Sequence, residues 1–359
     1  MSGWNKPDRG TVTLNDVARL AGVSPATVSR VVNGDGKVRE DTQDKVRAAI
    51  RELGYTPNQA ARSLASARRV RIGVIYNNPS ATYLSALLLG AMDQCASHGA
   101  ELLMITCQFG DEASERAVVE RVAAGQVDGV ILPSPSDGVS VVTDLLRARG
   151  VHIIAVGGGG SEFNVSCVCV NDRAAAREMT NHLLDLGHRR IGFIKGHPRH
   201  QSSHERQIGF EQAMAACPGA QPVLTQGFFT FESGLAAAEA LLDHEEPLSA
   251  IFACNDDMAA AVVSVAHRRG LEIPRDLSVV GFDDVATAVN LWPPLTTVRQ
   301  PVISMAATAV DLLLRDVRGG GPPGGPDDIT RQLLPYELVR RQSTAPPPAR
   351  VRLAKGGAG

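Results

Sequence analysis

Hydrophobic residues recur with the period of an α-helix near the start of the chain. Over residues 14–21 the apolar positions are spaced at i, i+3, i+4 and i+7, so that one helix face carries Leu14, Val17, Ala18 and Ala21. Gly22 is placed to end this helix, and Ser24-Pro25 supplies an N-cap and a first residue for the next one. The pattern predicts two short helices joined by a glycine turn.

The second helix has an apolar face and a face left for contacts. Val28, Val31 and Val32 form the apolar face, and the outward N-terminal side carries Pro25, Ala26, Thr27, Ser29 and Arg30. A further apolar repeat closes a small core in a third helix (Val46, Ile50, Leu53). This is the layout of a helix-turn-helix, whose second helix meets base edges in the major groove of DNA. An ordinary helical hairpin within a protein core is the alternative.

From residue 71 onward, short apolar runs alternate with helical stretches. The strand-like runs lie at 72–76, 102–106, 129–132, 153–156, 190–194, 250–253 and 278–281, and helices are predicted at 83–97, 174–186, 233–242 and 258–268. Continuous β-branched runs bracketed by helices are typical of parallel sheets covered on both faces. There are too many such runs for one sheet, so we expect an α/β fold of two doubly wound subdomains with a cleft between them.

Charge is distributed unevenly along the 359 residues. Residues 1–71 hold 13 Lys and Arg against 7 Asp and Glu, whereas the remainder holds 23 against 31. A basic head on an acidic body indicates a phosphate-binding module joined to a part that does not bind nucleic acid. The sequence shows neither an apolar run of membrane-spanning length nor a secretory signal, so we expect a cytoplasmic protein. The six cysteines are interpreted as reduced core residues.

The sequence of the N-terminal segment resembles that of a known family. DVARLAGVSPATVSRVVNG resembles the DNA-binding headpiece of the lac repressor-type (LacI/GalR) family of bacterial transcription regulators, and the resemblance continues through the hinge segment to about residue 344. It implies a headpiece at 12–57, a hinge helix and linker at 58–70, and an effector-binding and dimerisation domain at 71–344 with the periplasmic-binding-protein-like fold. Residues 1–11 and 345–359 are predicted to be disordered tails.

The same resemblance divides the effector domain and assigns the DNA contacts. The N-subdomain comprises 71–170 and 300–329, and the C-subdomain comprises 171–299 and 330–344, with crossings near Asn171, Gln300 and Ile329. Besides the five residues of the second helix, the hinge residues Asn58, Ala61 and Leu64 are expected to contact DNA, with Leu64 wedged into the minor groove. A homodimer on a pseudo-palindromic operator is the expected state.

Polar residues follow several of the predicted strands, where ligands bind in doubly wound sheets. The resemblance places effector contacts at Tyr83, Arg206, Phe229, Asn255, Asp283 and Gln300. Their polar groups suit hydroxyls or a carboxylate, and Phe229 offers a flat face to a sugar ring or base. Four glycines at 157–160 stand where family members often carry Asp or Asn, which removes one expected bond to the effector. Each residue taken alone has a structural alternative, such as a helix cap.

These observations favour a DNA-binding regulator, a repressor controlled by a small effector such as a sugar or sugar derivative. No nucleophile elbow, metal-spaced histidine cluster or Walker sequence is present, so we expect neither an enzyme nor a cofactor or metal. A solute-binding protein of the periplasmic type without a regulatory role is the alternative. The missing signal peptide and the attached basic head argue against it.

Overall fold

The computed structural model describes residues 14–32, 39–53, 69–76, 80–108, 111–133, 139–158, 165–319 and 329–349. The chain divides into two compact units, with the boundary between Arg69 and Val70. None of the helices within the described ranges has the length and apolar character needed to cross a bilayer.

The first unit is a three-helix bundle. Its helices are α1 (Leu14–Ala21), α2 (Pro25–Val32) and α3 (Glu40–Leu53), and the predicted apolar stripes meet in a core that includes Val17, Val28 and Val46. Gly22 adopts the left-handed conformation at φ 65°, which a side chain would disfavour, and Val23 N donates to Ala18 O over 3.1 Å. Ser24 Oγ accepts from Thr27 N over 3.2 Å, which confirms the predicted N-cap of the second helix.

The second unit contains two six-stranded sheets. The first has the order β11-β5-β4-β3-β1-β2 and comprises β1 (Arg71–Tyr76), β2 (Glu101–Thr106), β3 (Gly129–Pro133), β4 (His152–Val156), β5 (Ser166–Cys169) and β11 (Arg331–Leu333). The second has the order β12-β10-β9-β8-β6-β7 and comprises β6 (Arg190–Lys195), β7 (Gln221–Gln226), β8 (Ala250–Ala253), β9 (Ser278–Asp283), β10 (Thr296–Arg299) and β12 (Glu337–Val339). Strand β12 runs antiparallel to β10, and the other pairs are parallel.

Helices cover both faces of each sheet, as the continuous apolar strands predict. They are α4 (Ala81–Ser97), α5 (Glu112–Arg121), a π-helical turn (Val122–Gln126), α6 (Val139–Arg147), α7 (Asp172–Asp185), α8 (Gln201–Ala216), α9 (Phe231–Leu242), α10 (Asp256–Arg268), α11 (Ala286–Asn290) and α12 (Val302–Gly319). Neighbouring residues of β3 show the effect, because Val130 packs into one core cluster and Ile131 into the cluster on the opposite face. We call the half built on the first sheet the N-subdomain and the other half the C-subdomain.

The third crossing between the subdomains differs from the prediction. Strand β11 pairs with β5, with Arg331 opposite Cys167 and Leu333 opposite Cys169, so residues 331–333 belong to the N-subdomain. The chain therefore crosses between Leu333 and Glu337, and the boundary predicted near Ile329 is wrong. The physical reason is that residues 331–333 join the first sheet through β5, a partner strand far away in sequence that local composition does not indicate.

The C-terminal segment is ordered further than its composition indicates. Ala345 O accepts hydrogen bonds from Ser278 Oγ at 3.1 Å and lies 2.9 Å from His188 Nε2, while Ala345 N donates to Ser278 Oγ. Ser343 is fully buried and bonds to strand β9 through Val279. The prediction of a disordered tail from residue 345 is wrong at its start, because specific bonds hold a stretch that is rich in Pro and Ala. Residues 350–359 lie outside the described residues.

Candidate functional site

A cavity lies between the two subdomains, where the carboxyl ends of their strands face each other. Its empty volume is about 270 Å³ when the open solvent at its mouth is included, and the described residues that line it are Ser80, Tyr83, His200, Ser202, Arg206, Phe229, Asn255 and Asp283. Ser80 and Tyr83 come from the N-subdomain after β1, and the other six follow strands of the C-subdomain. Convergence of polar side chains at strand ends is the arrangement that doubly wound sheets use to bind ligands.

Five of the six residues predicted to contact an effector are brought together here: Tyr83, Arg206, Phe229, Asn255 and Asp283. The sixth, Gln300, stands behind the cavity wall and donates from Nε2 to Asp283 Oδ1 over 2.6 Å. Its contact with the cavity is therefore indirect. The assignment of these residues as effector contacts stays a prediction.

Arg206 is the central cation of the cavity. Arg206 is only 4% exposed, and its side chain donates from Nε to Asp172 Oδ1 over 2.8 Å and from Nη1 to Cys254 O over 2.6 Å. Its Cζ lies 3.6 Å from the ring centroid of Phe282. Asp283 Oδ1 is a second anion, 3.6 Å from Arg206 Nη1. Burial favours loss of the charge, but Asp172 and Asp283 outweigh it and raise the pKa of the guanidinium. The cavity therefore holds a fixed positive group between two carboxyls.

The two carboxyls are destabilised as anions by their burial. Burial raises the pKa of Asp172, while Arg206 opposes that shift. Burial likewise raises the pKa of Asp283 to about 7, although Arg206 and the bond from Gln300 favour the charged form. Asp283 also adopts φ 112°, a conformation that non-glycine residues rarely take. A strained, desolvated carboxyl at a cavity wall is typical of a binding position, where hydrogen-bond donors of a ligand stabilise its charge.

Asn255 and Phe229 support each other in forming the wall. Asn255 is the N-cap of α10, because its Oδ1 accepts from Met258 N over 3.0 Å, and its Nδ2 donates to Phe229 O over 2.9 Å. Phe229 adopts φ 66°, and a Cβ on Gly196 would lie 2.1 Å from the Phe229 ring, so the glycine makes room for it. The carbonyl bond from Asn255 holds this unusual backbone and fixes the ring at the cavity.

His200 is buried beside the ring of Phe229. Its side chain is 2% exposed, the two ring centroids are 5.7 Å apart, and Nδ1 makes no hydrogen bond to any described residue. Burial lowers the pKa of His200 to about 3, and the charges of His197, Arg199 and Arg206 add to that effect. The imidazole is therefore neutral at pH 7, and its Nδ1 is available to a group that enters the cavity.

Sequence reasoning missed four residues of this site. Ser80, His200 and Ser202 line the cavity, and Asp172 holds Arg206 from behind it. Ser80 lies just after a predicted strand, so its position at a strand end was an available signal. Asp172 follows β5, a strand that the sequence pattern did not predict. His200 and Ser202 lie before and within α8, and only the packing of that helix brings them to the cavity. Gly158 of the glycine run lies close to the opposite subdomain, since a Cβ on Gly158 would lie 3.3 Å from Ser202 N across the cleft.

The five DNA-reading positions predicted in the helix-turn-helix all belong to α2. Pro25 begins this helix, and Ala26, Thr27, Ser29 and Arg30 follow within it before it ends at Val32. Pro25 is exposed and Thr27 is half-buried with its hydroxyl 2.9 Å from Ser24 Oγ. The hinge positions Asn58, Ala61 and Leu64 lie outside the described residues. No cluster of three metal-ligating side chains occurs within the part of the chain that the structure describes.

A helical DNA-binding unit joined to a two-subdomain ligand-binding unit defines a class of ligand-responsive regulators, and comparison with known proteins places the chain within it. Residues 13–58 match the model of bacterial regulatory proteins of the lacI family, and residues 180–344 match the periplasmic binding protein-like domain. Catabolite control protein A of Priestia megaterium is 32% identical over 336 residues, which is 93% of this chain and 99% of that protein.

Two solved structures show the same fold. The lac repressor dimer bound to operator and the anti-inducer ONPF is 30% identical with a TM-score of 0.70, covering 94% of this chain and 100% of that one. The transcriptional regulator CelR in complex with cellobiose is 31% identical with a TM-score of 0.69, covering 92% and 99%. The chain belongs to the lacI family of bacterial regulatory proteins. It is a DNA-binding transcriptional regulator, and these findings favour that function over a solute-binding protein without a regulatory role.

Proposed function

We propose that this chain is a homodimeric repressor whose operator affinity is controlled by a sugar or sugar derivative bound between the two subdomains. The observation that carries the proposal is the cavity itself, in which Arg206 of α8, Asp283 at the end of β9 and the flat ring of Phe229 after β7 converge. Charged groups that bond hydroxyls and a ring that stacks on a pyranose face suit a carbohydrate. A related regulator, CelR, has been solved with cellobiose, which supports the same class of ligand.

The effector acts by preferring one arrangement of the subdomains. A ligand with equal affinity for two arrangements shifts neither, so control requires contacts that form in only one of them. Ser80 and Tyr83 on the N-subdomain face six residues of the C-subdomain across the cavity, and a ligand bound there bonds both sides at once. The protein works in the cytoplasm, where bacterial DNA lies, and needs neither an enzymatic activity nor a cofactor for this function.

The homodimer is supported by apolar residues on the surface of the second unit. Leu89 and Met92 share a face of α4 and are 57% and 56% exposed, while Met104 on the edge strand β2 and Trp292 are also exposed. Exposed apolar groups of this size are typical of protein interfaces. A two-fold protein reads a two-fold operator, with half-sites roughly 10 base pairs apart or a multiple of that spacing.

The effector is identified by a paired assay on the full chain. Neutral sugars, amino sugars and sugar phosphates are screened for a rise in Tm, and each hit is tested for its effect on binding of a labelled fragment from the upstream region of the protein's own gene. A sugar that raises Tm and changes DNA affinity supports the proposal. Sugars that raise Tm without changing DNA affinity, or the absence of any sugar that raises Tm, would contradict it.

The DNA contacts are tested by comparing two arginines. Arg30 on α2 matches a base-reading position, and its guanidinium suits a guanine O6 and N7, so Arg30→Ala should relax specificity at one base position by about 1–3 kcal/mol. Arg47 on α3 is the matched control, because a phosphate contact there affects all sequences alike. Selection of binding sites with both variants decides it. An unchanged base preference in Arg30→Ala removes Arg30 from the reading positions.

A further inference from the structure

One carboxylate joins the two subdomains across the cleft. Asp257 is the second residue of α10 in the C-subdomain, and its Oδ2 accepts hydrogen bonds from Ser80 Oγ at 3.1 Å and Thr82 Oγ1 at 2.9 Å. Ser80 caps α4 of the N-subdomain, and Thr82 is the second residue of that helix. Two residues that lie 177 and 175 positions before Asp257 in sequence therefore bond the same oxygen.

Two helix N-termini converge on this carboxylate. Asp257 lies in the first turn of its own helix, where a negative charge is favourable, and its side chain reaches the first turn of α4. The Ser80 hydroxyl at the N-terminus of α4 makes two hydrogen bonds, because Ser80 Oγ accepts from Tyr83 N and donates to Asp257 Oδ2. The other oxygen, Asp257 Oδ1, lies 3.4 Å from Thr287 Oγ1 of α11, which fixes the carboxylate from the C-subdomain side.

The contact borders the cavity directly. Ser80 and Tyr83 belong both to the N-terminus of α4 and to the cavity wall, and Asn255, two residues before Asp257, forms the wall opposite. A ligand hydroxyl that reaches Ser80 therefore meets an oxygen that is already bonded to Asp257. Ligand occupancy and the cross-cleft bond share one hydroxyl, so each affects the strength of the other.

We propose that Asp257 is a latch that holds the cleft closed around the cavity and couples its occupancy to the relative position of the subdomains. Thr82 and Ser80 are the N-subdomain side of the latch, and Thr287 orients the carboxylate. Asp257 is a positioning residue, because it acts on the cavity through Ser80. The coupling to an effector rests on the proposed function, whereas the closing of the cleft does not.

Hydrogen exchange of the full-length chain without ligand tests the latch. Asp257→Ala should speed exchange of the amides at 81–88, across the cleft, by roughly tenfold, since two hydrogen bonds that oppose opening are lost. Glu232→Ala is the matched control, because Glu232 occupies the same second position of α9 and is exposed. Both variants lose a favourable charge at a helix N-terminus, but only the first is expected to affect α4.

Two further variants separate a latch from a local helix effect. Thr82→Val removes one donor without touching α10, and it should speed exchange at 256–262 on the opposite side. Asp257→Asn keeps an acceptor oxygen and should fall between wild type and Asp257→Ala. Exchange changes confined to the mutated helix in both Thr82→Val and Asp257→Asn would overturn the latch, whatever the stability of the alanine variant. If sugar binding persists while the exchange results overturn the latch, the proposed function stands and the latch does not. If the exchange results support the latch but no sugar binds, the latch stands and the proposed function does not.

Discussion

Replacing Arg206 by Met tests whether the cavity's central cation stabilises the fold as well as binding a ligand. Glu205, the neighbouring carboxylate in sequence, bonds Arg173, and the carboxylate closest to Arg206 is Asp172. Arg206→Met keeps most of the apolar packing on Phe282 while leaving Asp172 buried without its cation. Breaking a buried pair in this way is strongly destabilising, by about 3–5 kcal/mol.

The expected change in Tm follows from that magnitude. Domains of 150–250 residues shift by about 2–4 °C per kcal/mol, so Arg206→Met should lower the Tm of the second unit by roughly 6–20 °C. Adding Asp172→Asn removes the uncompensated charge and should restore much of the loss. Arg173→Met is the neighbouring control. Its bidentate bond to Glu205 is largely exposed, and surface pairs contribute only about 0–1 kcal/mol.

Thermal unfolding by circular dichroism at two pH values measures these effects. Without Arg206, only the weaker effect of Arg331 opposes the burial that raises the pKa of Asp172, so the folded state binds a proton there more readily than the unfolded state. The deficit of Arg206→Met relative to wild type should therefore shrink as pH falls from 8 to 5. A Tm within about 2 °C of wild type, or a double variant no more stable than Arg206→Met, would refute the structural role and leave Arg206 as a ligand contact alone.

Three further predictions concern other parts of the molecule. Burial lowers the pKa of both His188 and His200, so the unfolding free energy of the wild type should be full above about pH 6.5 and fall below it. His200→Gln should reduce the slope of unfolding free energy against pH, measured by denaturant titration at several pH values, and an unchanged slope would contradict it. Gly158→Val should destabilise the second unit by about 1–3 kcal/mol, because its Cβ would lie 3.3 Å from Ser202 N across the cleft, and an unchanged Tm would show that the loop yields. Leu64→Ala should abolish operator bending in gel-shift assays if Leu64 is a minor-groove wedge, and an unchanged bend angle would make the segment a linker.

Much of the fold was predictable because its elements are locally encoded. The apolar stripe of α1, the left-handed glycine at Gly22 and the Ser24 cap are short-range signals, and the structure contains each of them. Many of the strands were equally clear, since a strand buried on both faces, such as β3, is apolar throughout, but β5, β7 and β10 were not predicted. The error at the third crossing arose because sheet membership depends on a partner strand far away, in this case β5, and local composition carries no information about that partner.

The candidate site was predictable only in part, for a similar reason. Residues at strand ends converge by topology, which is why Asn255 and Asp283 were expected and do line the cavity. Asp172 was missed because its importance depends on Arg206, 34 positions later, and no local pattern pairs them. His200 was missed because an isolated histidine is usually structural, and its importance lies in a buried Nδ1 without a described partner.

Gln300 shows how the site and the subdomain crossings are connected. It stands at the second crossing, immediately after β10, and its amide bonds Asp283 while its backbone N donates to Asp283 O over 3.3 Å. Asp283 in turn forms the cavity wall in a strained conformation. A ligand that draws on the Asp283 carboxylate therefore alters a bond held by the connecting chain itself. Since Asp283 also lies 3.6 Å from Arg206, the cavity's charges and the crossing share one residue, and under the proposed function we expect occupancy of the cavity to affect the crossing without any contact between Gln300 and the ligand.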